Sequence, residues 1–215
     1  MFSCMSRKEI SEVIAKEKLV VVIRLQDQKD VAGVINSLIE GGIKVLEVTS
    51  NTPGFVEEIA KARALYPDVL IGAGTVINTK IAQKAVDAGA QFLVTPNTNP
   101  KVIEVAHSNN IPVLMGALTP TEVCDAAEAN ADFVKLFPAD IMGIPYFKSI
   151  KAPLSHTKLL AVGGIDLETV KDWFLGGAAG IGIAGALTSK VSSQEDLLAV
   201  KERAAQFVAE VKKYG

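Results

Sequence analysis

Lys135 lies in the middle of a short apolar run, residues 133–137, whose composition is typical of a buried β-strand. Removing a lysine side chain from water disfavours its charged form, so burial lowers the pKa of the amine. An amine that is neutral part of the time can attack a carbonyl carbon and form a Schiff base. This residue in these surroundings therefore predicts covalent chemistry on a ketone or aldehyde, if the fold supplies a group that moves protons.

Two further side chains could take part in such chemistry. Glu47 lies in another apolar run, and a carboxyl group near a buried amine can move protons while water leaves and while the substrate's α-carbon is deprotonated. The alternative is a structural ion pair between Glu47 and Lys135. Arg24 follows the first apolar run, where its guanidinium could hold a substrate carboxylate through two hydrogen bonds. The alternative for Arg24 is an ion pair at the surface.

The elements that must position these residues alternate regularly. Apolar runs rich in Val and Ile predict strands at about 19–24, 43–48, 69–73, 92–95, 112–115, 132–137, 158–162 and 180–183, with amphipathic helical segments between them. Strands buried on both faces and separated by helices form parallel βαβ units. We therefore predict one (β/α)8 barrel domain over residues 1–215, with an extra amino-terminal helix at Arg7 to Lys18. An open doubly wound sheet is the alternative, but no glycine-rich turn follows the first strand.

A weak repeat relates Glu47 to Lys135. Four helices are predicted to end on left-handed caps that recur at intervals of 47, 41 and 47 residues, namely Gly42, Gly89, Asn130 and Gly177. The residues five positions beyond these caps are Glu47, Val94, Lys135 and Gly182. Because alternate strands of such a barrel contribute one layer of interior side chains, the spacing predicts that Glu47 and Lys135 share a layer.

Composition limits the class of partner. The formal net charge is −2 and charged residues make up 21% of the chain, which argues against nucleic acid or an anionic membrane as the main partner. No apolar run reaches the length of about 18 residues that a membrane helix needs. The amino terminus lacks the pattern of a signal peptide, and two cysteines make no disulfide framework. We expect a cytoplasmic protein that acts on a small molecule without a metal or organic cofactor.

Five motifs occur in the order and spacing of one known family. They are Leu46-Glu47-Val48-Thr49, Gly72-Ala73-Gly74-Thr75-Val76, Val94-Thr95-Pro96-Asn97, Val134-Lys135-Leu136-Phe137-Pro138-Ala139 and Gly163-Gly164-Ile165. From about Ile14 to Leu187 the chain resembles the 2-keto-3-deoxy-6-phosphogluconate / 4-hydroxy-2-oxoglutarate (KDPG/KHG) aldolases, which are metal-independent class I lyases. The resemblance implies a homotrimer as well.

The resemblance also implies a role for each matching residue. Lys135 would form the Schiff base with the 2-keto group, Glu47 would be the proton shuttle, Thr75 and Pro96 would line the pyruvyl pocket, and Phe137 would pack beside the imine. The residues themselves leave other roles open: Thr75 could cap the next helix, Pro96 could form a turn, and Phe137 could fill the core.

Gly163 and Gly164 after the seventh strand and Gly185 after the eighth match the usual phosphate position of this barrel, where backbone amides can bind an anion at the start of a helix. The family often has a threonine and a serine where this chain has Val162 and Gly185, and the loss of two hydroxyl donors puts tight phosphate binding in doubt. The alternative is that these glycines only form tight turns. Some members carry an arginine where this chain has Asn51, so Arg24 is the candidate for the substrate carboxylate.

The expected reaction is retro-aldol cleavage of a 2-keto-4-hydroxy acid to pyruvate and an aldehyde. The substrate would be 2-keto-3-deoxy-6-phosphogluconate or 4-hydroxy-2-oxoglutarate, and the aldehyde glyceraldehyde 3-phosphate or glyoxylate. Two alternatives remain open. One is a phosphate-binding isomerase or transferase in which Lys135 acts only through its charge, and the other is a keto-acid-binding protein with little turnover.

Overall fold

The computed structural model describes residues 5–188, Val191 and residues 193–214. Eight parallel strands close into a barrel in chain order, with the first strand paired to the eighth. They are β1 (Leu19–Ile23), β2 (Val45–Thr49), β3 (Leu70–Gly74), β4 (Leu93–Val94), β5 (Val113–Ala117), β6 (Phe133–Leu136), β7 (Leu159–Val162) and β8 (Gly180–Ile183). The predicted (β/α)8 barrel is confirmed, and the closing pair of strands excludes the open sheet.

Helices separate the strands along the whole barrel. They are α1 (Arg7–Glu17), α2 (Val31–Glu40), α3 (Phe55–Leu65), α4 (Thr79–Asp87), α5 (Pro100–Ser108), α6 (Pro120–Glu128), α7 (Ala139–Lys151), α8 (Val170–Leu175), α9 (Gly185–Thr188) and α10 (Gln194–Val211). The extra amino-terminal helix is therefore present. Within the described residues, no helix is long and apolar enough to cross a membrane.

The four predicted caps share one geometry. Gly42, Gly89, Asn130 and Gly177 all have positive φ, between 64° and 94°. In each case the N–H of the next residue reaches back to the fifth carbonyl before it, as in Ile43 N–H to Leu38 O at 3.1 Å and Ala131 N–H to Ala126 O at 3.0 Å. This is the Schellman arrangement, which satisfies carbonyls that would otherwise lack partners at a helix end. Equal caps start the following strands in equivalent positions, so the offset of five residues has a structural basis.

Asp132, one residue before β6, joins several elements at the amino-terminal ends of the strands. Its carboxylate accepts hydrogen bonds from Arg7 Nε at 2.8 Å, from the Val113 amide at 2.9 Å and from Ser11 Oγ at 3.5 Å, and His107 Nε2 lies 3.0 Å away. These residues belong to α1, β5 and α5. The carboxylate therefore holds the extra helix and α5 against the barrel.

Replacing Asp132 by alanine should lower the free energy of unfolding by about 2–3 kcal/mol, because the part-buried Val113 amide and the side chains of Arg7 and His107 lose the carboxylate that they contact. Urea denaturation measures the change. Asp68→Ala, at an exposed position, is the control and should stay within about 0.5 kcal/mol of the parent. Equal effects of the two substitutions would show that Asp132 does not stabilise the fold.

Candidate active site

Glu47 and Lys135 meet inside the barrel. The four residues predicted for one layer, Glu47, Val94, Lys135 and Gly182, line the same interior cavity. The remaining residues that line it are apolar: Val20, Val22, Leu114, Leu160 and Val162. Val94 of β4 and Gly182 of β8 are small residues, so they leave room for the long side chains of Glu47 and Lys135. A buried amine beside a buried carboxyl group is the arrangement that imine chemistry requires.

Burial shifts Lys135 towards its neutral form. The side chain belongs to a residue only 6% exposed, and desolvation lowers the pKa of its amine. The charge of Glu47 acts in the opposite direction, whereas that of Arg24 lowers the pKa further. Lys135 Nζ also lies 4.9 Å from the centre of the Phe137 ring. The amine thus has an apolar, shielded position with one aromatic face beside it.

Burial shifts Glu47 in the complementary direction. The residue is 1% exposed, and desolvation raises the pKa of its carboxyl group, although the charges of Lys135 and Arg24 oppose this change. Glu47 Oε2 has no hydrogen-bond partner among the described residues. Within this part of the chain, Glu47 and Lys135 also form no direct ion pair. A carboxyl group that can hold a proton and has no fixed partner is suited to proton transfer and is a poor structural bridge.

Gly74, the last residue of β3, leaves the space that the Glu47 carboxyl group occupies. A Cβ atom at position 74 would lie 2.7 Å from Glu47 Cδ and closer still to Oε1. Gly74 does not have positive φ, so this requirement for glycine comes from the approach of Glu47 and not from the backbone.

Gly74→Ala should therefore displace the Glu47 carboxyl group and lower kcat by about 10²-fold, because a shift of about 1 Å at a reacting group has effects of that size. Steady-state kinetics with a 2-keto-4-hydroxy acid measures the change, and thermal unfolding tests for folding. Gly33→Ala is the matched control, since a Cβ there would make ordinary contacts with Leu197 at 3.4 Å. Similar kcat values for both variants would contradict the role of Gly74.

Arg24 and Thr75 meet at the carboxyl ends of β1 and β3. Arg24 Nη2 donates to Thr75 Oγ1 at 3.4 Å. Thr75 has a φ of 57°, which is uncommon for a β-branched residue. The alternative role of Thr75 as a helix cap is wrong, because the Asn78 side chain accepts from the Ile81 amide and caps α4. Arg24 forms no ion pair with the described residues, so the surface ion pair that was its alternative role is not found.

Phe137 and Pro96 lie at the same end of the barrel. The contact of Phe137 with Lys135 Nζ agrees with a place beside the imine. Pro96 follows β4 on a turn that approaches Gly116, where a Cβ would lie 2.6 Å from Thr95 O and closer still to the carbonyl carbon of Pro96. The turn is therefore a close-packed one. The contact of Pro96 with a substrate stays a prediction.

The glycines after β7 and β8 differ from one another. Gly163 and Gly164 have φ values of 110° and 60°, so their turn requires glycine. Gly185 begins α9, and a Cβ there would meet nothing within 4 Å. The carboxylate of Asp140 packs against Gly164 and lies 3.3 Å from the Cβ position of Gly163. Sequence reasoning did not single out this carboxylate.

Sequence reasoning also missed Gly74. In the register of β2 and β3, Gly74 pairs with Thr49, two residues after Glu47. Without that register, the glycine could not be assigned to the space around one particular side chain.

Comparison with known proteins gives a consistent family. The KDPG and KHG aldolase family model matches residues 10–203. A 2-dehydro-3-deoxy-phosphogluconate aldolase of Treponema pallidum (strain Nichols) is 34% identical over 165 residues, which make up 76% of this chain and 79% of the relative.

Solved structures agree with the sequence comparison. A native KDPGal structure superposes with a TM-score of 0.85 and 31% identity, over 91% of this chain and 95% of that chain. KDPG aldolase from Legionella pneumophila, with pyruvate captured as a covalent carbinolamine intermediate, superposes with a TM-score of 0.78 and 26% identity. That match covers 94% of this chain and 96% of the other.

Proposed function

The chain belongs to the KDPG and KHG aldolase family and is a class I carbon–carbon lyase, and we propose that Lys135 forms the Schiff base while Glu47 moves the protons. The observation that carries this assignment is the shared cavity of the two residues, in which burial lowers the pKa of Lys135 and raises the pKa of Glu47. Pairs of groups with such opposed shifts are typical of acid–base catalysis.

The steps follow from these two side chains. The neutral Lys135 amine attacks C2 of a 2-keto-4-hydroxy acid and forms a carbinolamine. Protonated Glu47 gives its proton to the departing hydroxyl group, so water leaves and a protonated imine remains. The carboxylate of Glu47 then accepts the proton of the C4 hydroxyl group as the C3–C4 bond breaks, the aldehyde departs, and the electron pair moves into the imine to form an enamine.

The reverse proton transfers release pyruvate. Glu47 returns its proton to C3 of the enamine, which regenerates the imine, and water hydrolyses the imine to free Lys135. Arg24 and Thr75 hold the carboxylate of the keto acid, Phe137 and Pro96 pack against the pyruvyl group, and no metal or organic cofactor takes part in these steps.

Reduction by sodium borohydride in the presence of pyruvate tests the assignment. We expect the peptide that contains Lys135 to gain the mass of a reduced pyruvyl group, as measured by mass spectrometry. Labelling of another lysine, or of none, would contradict it and favour the isomerase or transferase in which Lys135 acts only through its charge. Formation of an aldol product from pyruvate and an aldehyde then separates an enzyme from a keto-acid-binding protein.

Two observations favour different substrates. The names of the relatives support a phosphorylated sugar acid, with the phosphate held by the amides around Gly163, Gly164 and Gly185. The Asp140 carboxylate beside Gly164 supports an unphosphorylated acid such as 4-hydroxy-2-oxoglutarate. The ratio of kcat/KM for the two substrates decides between them. If Asp140 repels phosphate, Asp140→Asn should raise kcat/KM for the phosphorylated substrate alone.

We also propose a cytoplasmic homotrimer built from one domain per chain. Exposed apolar side chains at the carboxyl ends of the strands, Ile77 at 48% and Ile141 at 76% exposure, support an interface between copies. Light scattering coupled to size exclusion measures the mass in solution. A mass of three chains is expected, and a single-chain mass at micromolar concentration would contradict the trimer.

A further inference from the structure

The hydroxyl group of Thr52 holds the backbone on both sides of Arg24. Thr52 is 1% exposed, and its Oγ1 accepts from the Leu25 amide at 3.2 Å and lies 3.3 Å from Ile23 O. Thr49 Oγ1 is 2.9 Å away. The Thr52 hydroxyl group uses its full hydrogen-bonding capacity when it donates to Ile23 O and accepts from the Leu25 amide and the Thr49 hydroxyl group. The segment after β2 thereby fixes the point at which the chain leaves β1.

Ser50 holds the backbone of Thr75, the residue whose hydroxyl group contacts Arg24. Its Oγ donates to Thr75 O at 2.8 Å, and its amide donates to Gly74 O at 2.8 Å. Thr75 has the left-handed backbone that β-branched residues rarely adopt, and such a conformation persists only where neighbouring groups enforce it. The two hydrogen bonds from Ser50, the residue that follows β2, enforce it.

Thr52 and Ser50 hold the backbone next to Arg24 and at Thr75, and the side chains of Arg24 and Thr75 contact each other. Arg24 Nη2 reaches Thr75 Oγ1 at 3.4 Å, so the guanidinium and the hydroxyl group face the same point at the barrel mouth. Both supports come from the four residues 49–52, which begin two positions after Glu47. Residues 49–52 therefore hold the Arg24–Thr75 pair at a fixed place relative to Glu47.

We propose that Thr52 and Ser50 are positioning residues that hold Arg24 and Thr75 as a paired site for the carboxylate of the keto acid. The inference rests on the proposed function, in which Lys135 binds the keto group of the same molecule. Thr52 and Ser50 do not contact the substrate. They determine the preference for a ketone that carries a carboxylate.

Trapping of two ketones by sodium cyanoborohydride tests the inference in the full chain. Pyruvate carries the carboxylate, whereas methyl pyruvate presents the same ketone with the carboxylate masked as an ester. For Thr52→Val, we expect the pyruvate concentration that gives half-maximal trapping at Lys135 to rise about tenfold, because a charge-assisted contact is misplaced. The value for methyl pyruvate should not change. Thr52→Ser keeps the hydroxyl group and should restore the parent value.

Thr157→Val is the matched control, because it makes the same change at a buried threonine whose Oγ1 has no partner among the described residues. It should trap both ketones as the parent does. Ser50→Ala offers an independent variant that should weaken pyruvate trapping alone, even if Thr52→Val does not fold.

Three results would overturn the inference. They are an equal loss for both ketones in the Thr52 and Ser50 variants, parental trapping in both variants, and an equal effect of Thr157→Val. A parent protein that traps neither ketone would instead contradict the proposed function, so the two failures are distinguishable.

Discussion

Lys135→Met is expected to abolish covalent trapping of pyruvate and to lower kcat by about 10⁴-fold or more, since the loss of a covalent nucleophile has effects of this order. Methionine fills a similar volume in the apolar cavity but has no nitrogen to attack the keto group. Steady-state kinetics and mass spectrometry after reduction measure the two effects. Residual adduct on another lysine would place the chemistry elsewhere.

The same variant should be more stable than the parent at neutral pH. Burial lowers the pKa of Lys135 in the folded chain below its usual value of 10.5. At any pH between the folded-state pKa and 10.5, the unfolded chain therefore binds more protons than the folded chain. The parent consequently loses stability as the pH falls from 10.5 through that window. Urea denaturation at pH 7 and pH 10 should show an advantage for Lys135→Met that shrinks at pH 10. An advantage that does not depend on pH would contradict a lowered pKa.

Glu47→Gln is expected to lower kcat by about 10²–10⁴-fold, which is the usual contribution of a positioned acid or base. Glutamine keeps the shape of the side chain but neither donates nor accepts the proton. Exchange of the pyruvate methyl protons with deuterated water reports enamine formation. We expect that exchange to fall at least as much as kcat, whereas slow trapping at Lys135 persists. Unchanged exchange would mean that another group removes the proton.

Glu47→Gln should also change stability, with the opposite dependence on pH. Burial raises the pKa of Glu47 above its usual value of 4.5, so above pH 4.5 the unfolded chain has lost a proton that the folded chain still binds. The contribution of the neutral carboxyl group is complete below pH 4.5 and is lost as the pH rises through the folded-state pKa. The variant should gain stability over the parent at pH 7 but not at pH 4, as measured by urea denaturation.

Local patterns were sufficient to predict the barrel and its central pair. The apolar runs located all eight strands to within about two residues, because both faces of each strand are buried. Glycine and asparagine marked the left-handed caps because few other residues tolerate positive φ. The constant offset from those caps then related Glu47 to Lys135 across 88 positions of sequence.

Helix boundaries were less predictable, because they depend on side-chain hydrogen bonds. Helix α8 begins only at Val170, because the side chains of Asp166 and Thr169 each bond to the backbone of the other residue and form a turn before it. The first helix ends at Glu17 because Lys18 adopts the left-handed conformation. Periodicity carries no information about such local bonds.

Residue types and their spacing by themselves determined the closed parallel architecture, the lysine and the carboxyl group inside it, and the family that shares these motifs. The supports around that pair were decided only by the tertiary structure: the space left at Gly74, the hydroxyl groups of Thr52 and Ser50, and the carboxylate of Asp140 beside Gly164. The physical reason is that steric space and hydrogen bonds depend on distances of a few tenths of an ångström between separate segments. A linear pattern orders such segments but does not measure the distance between them.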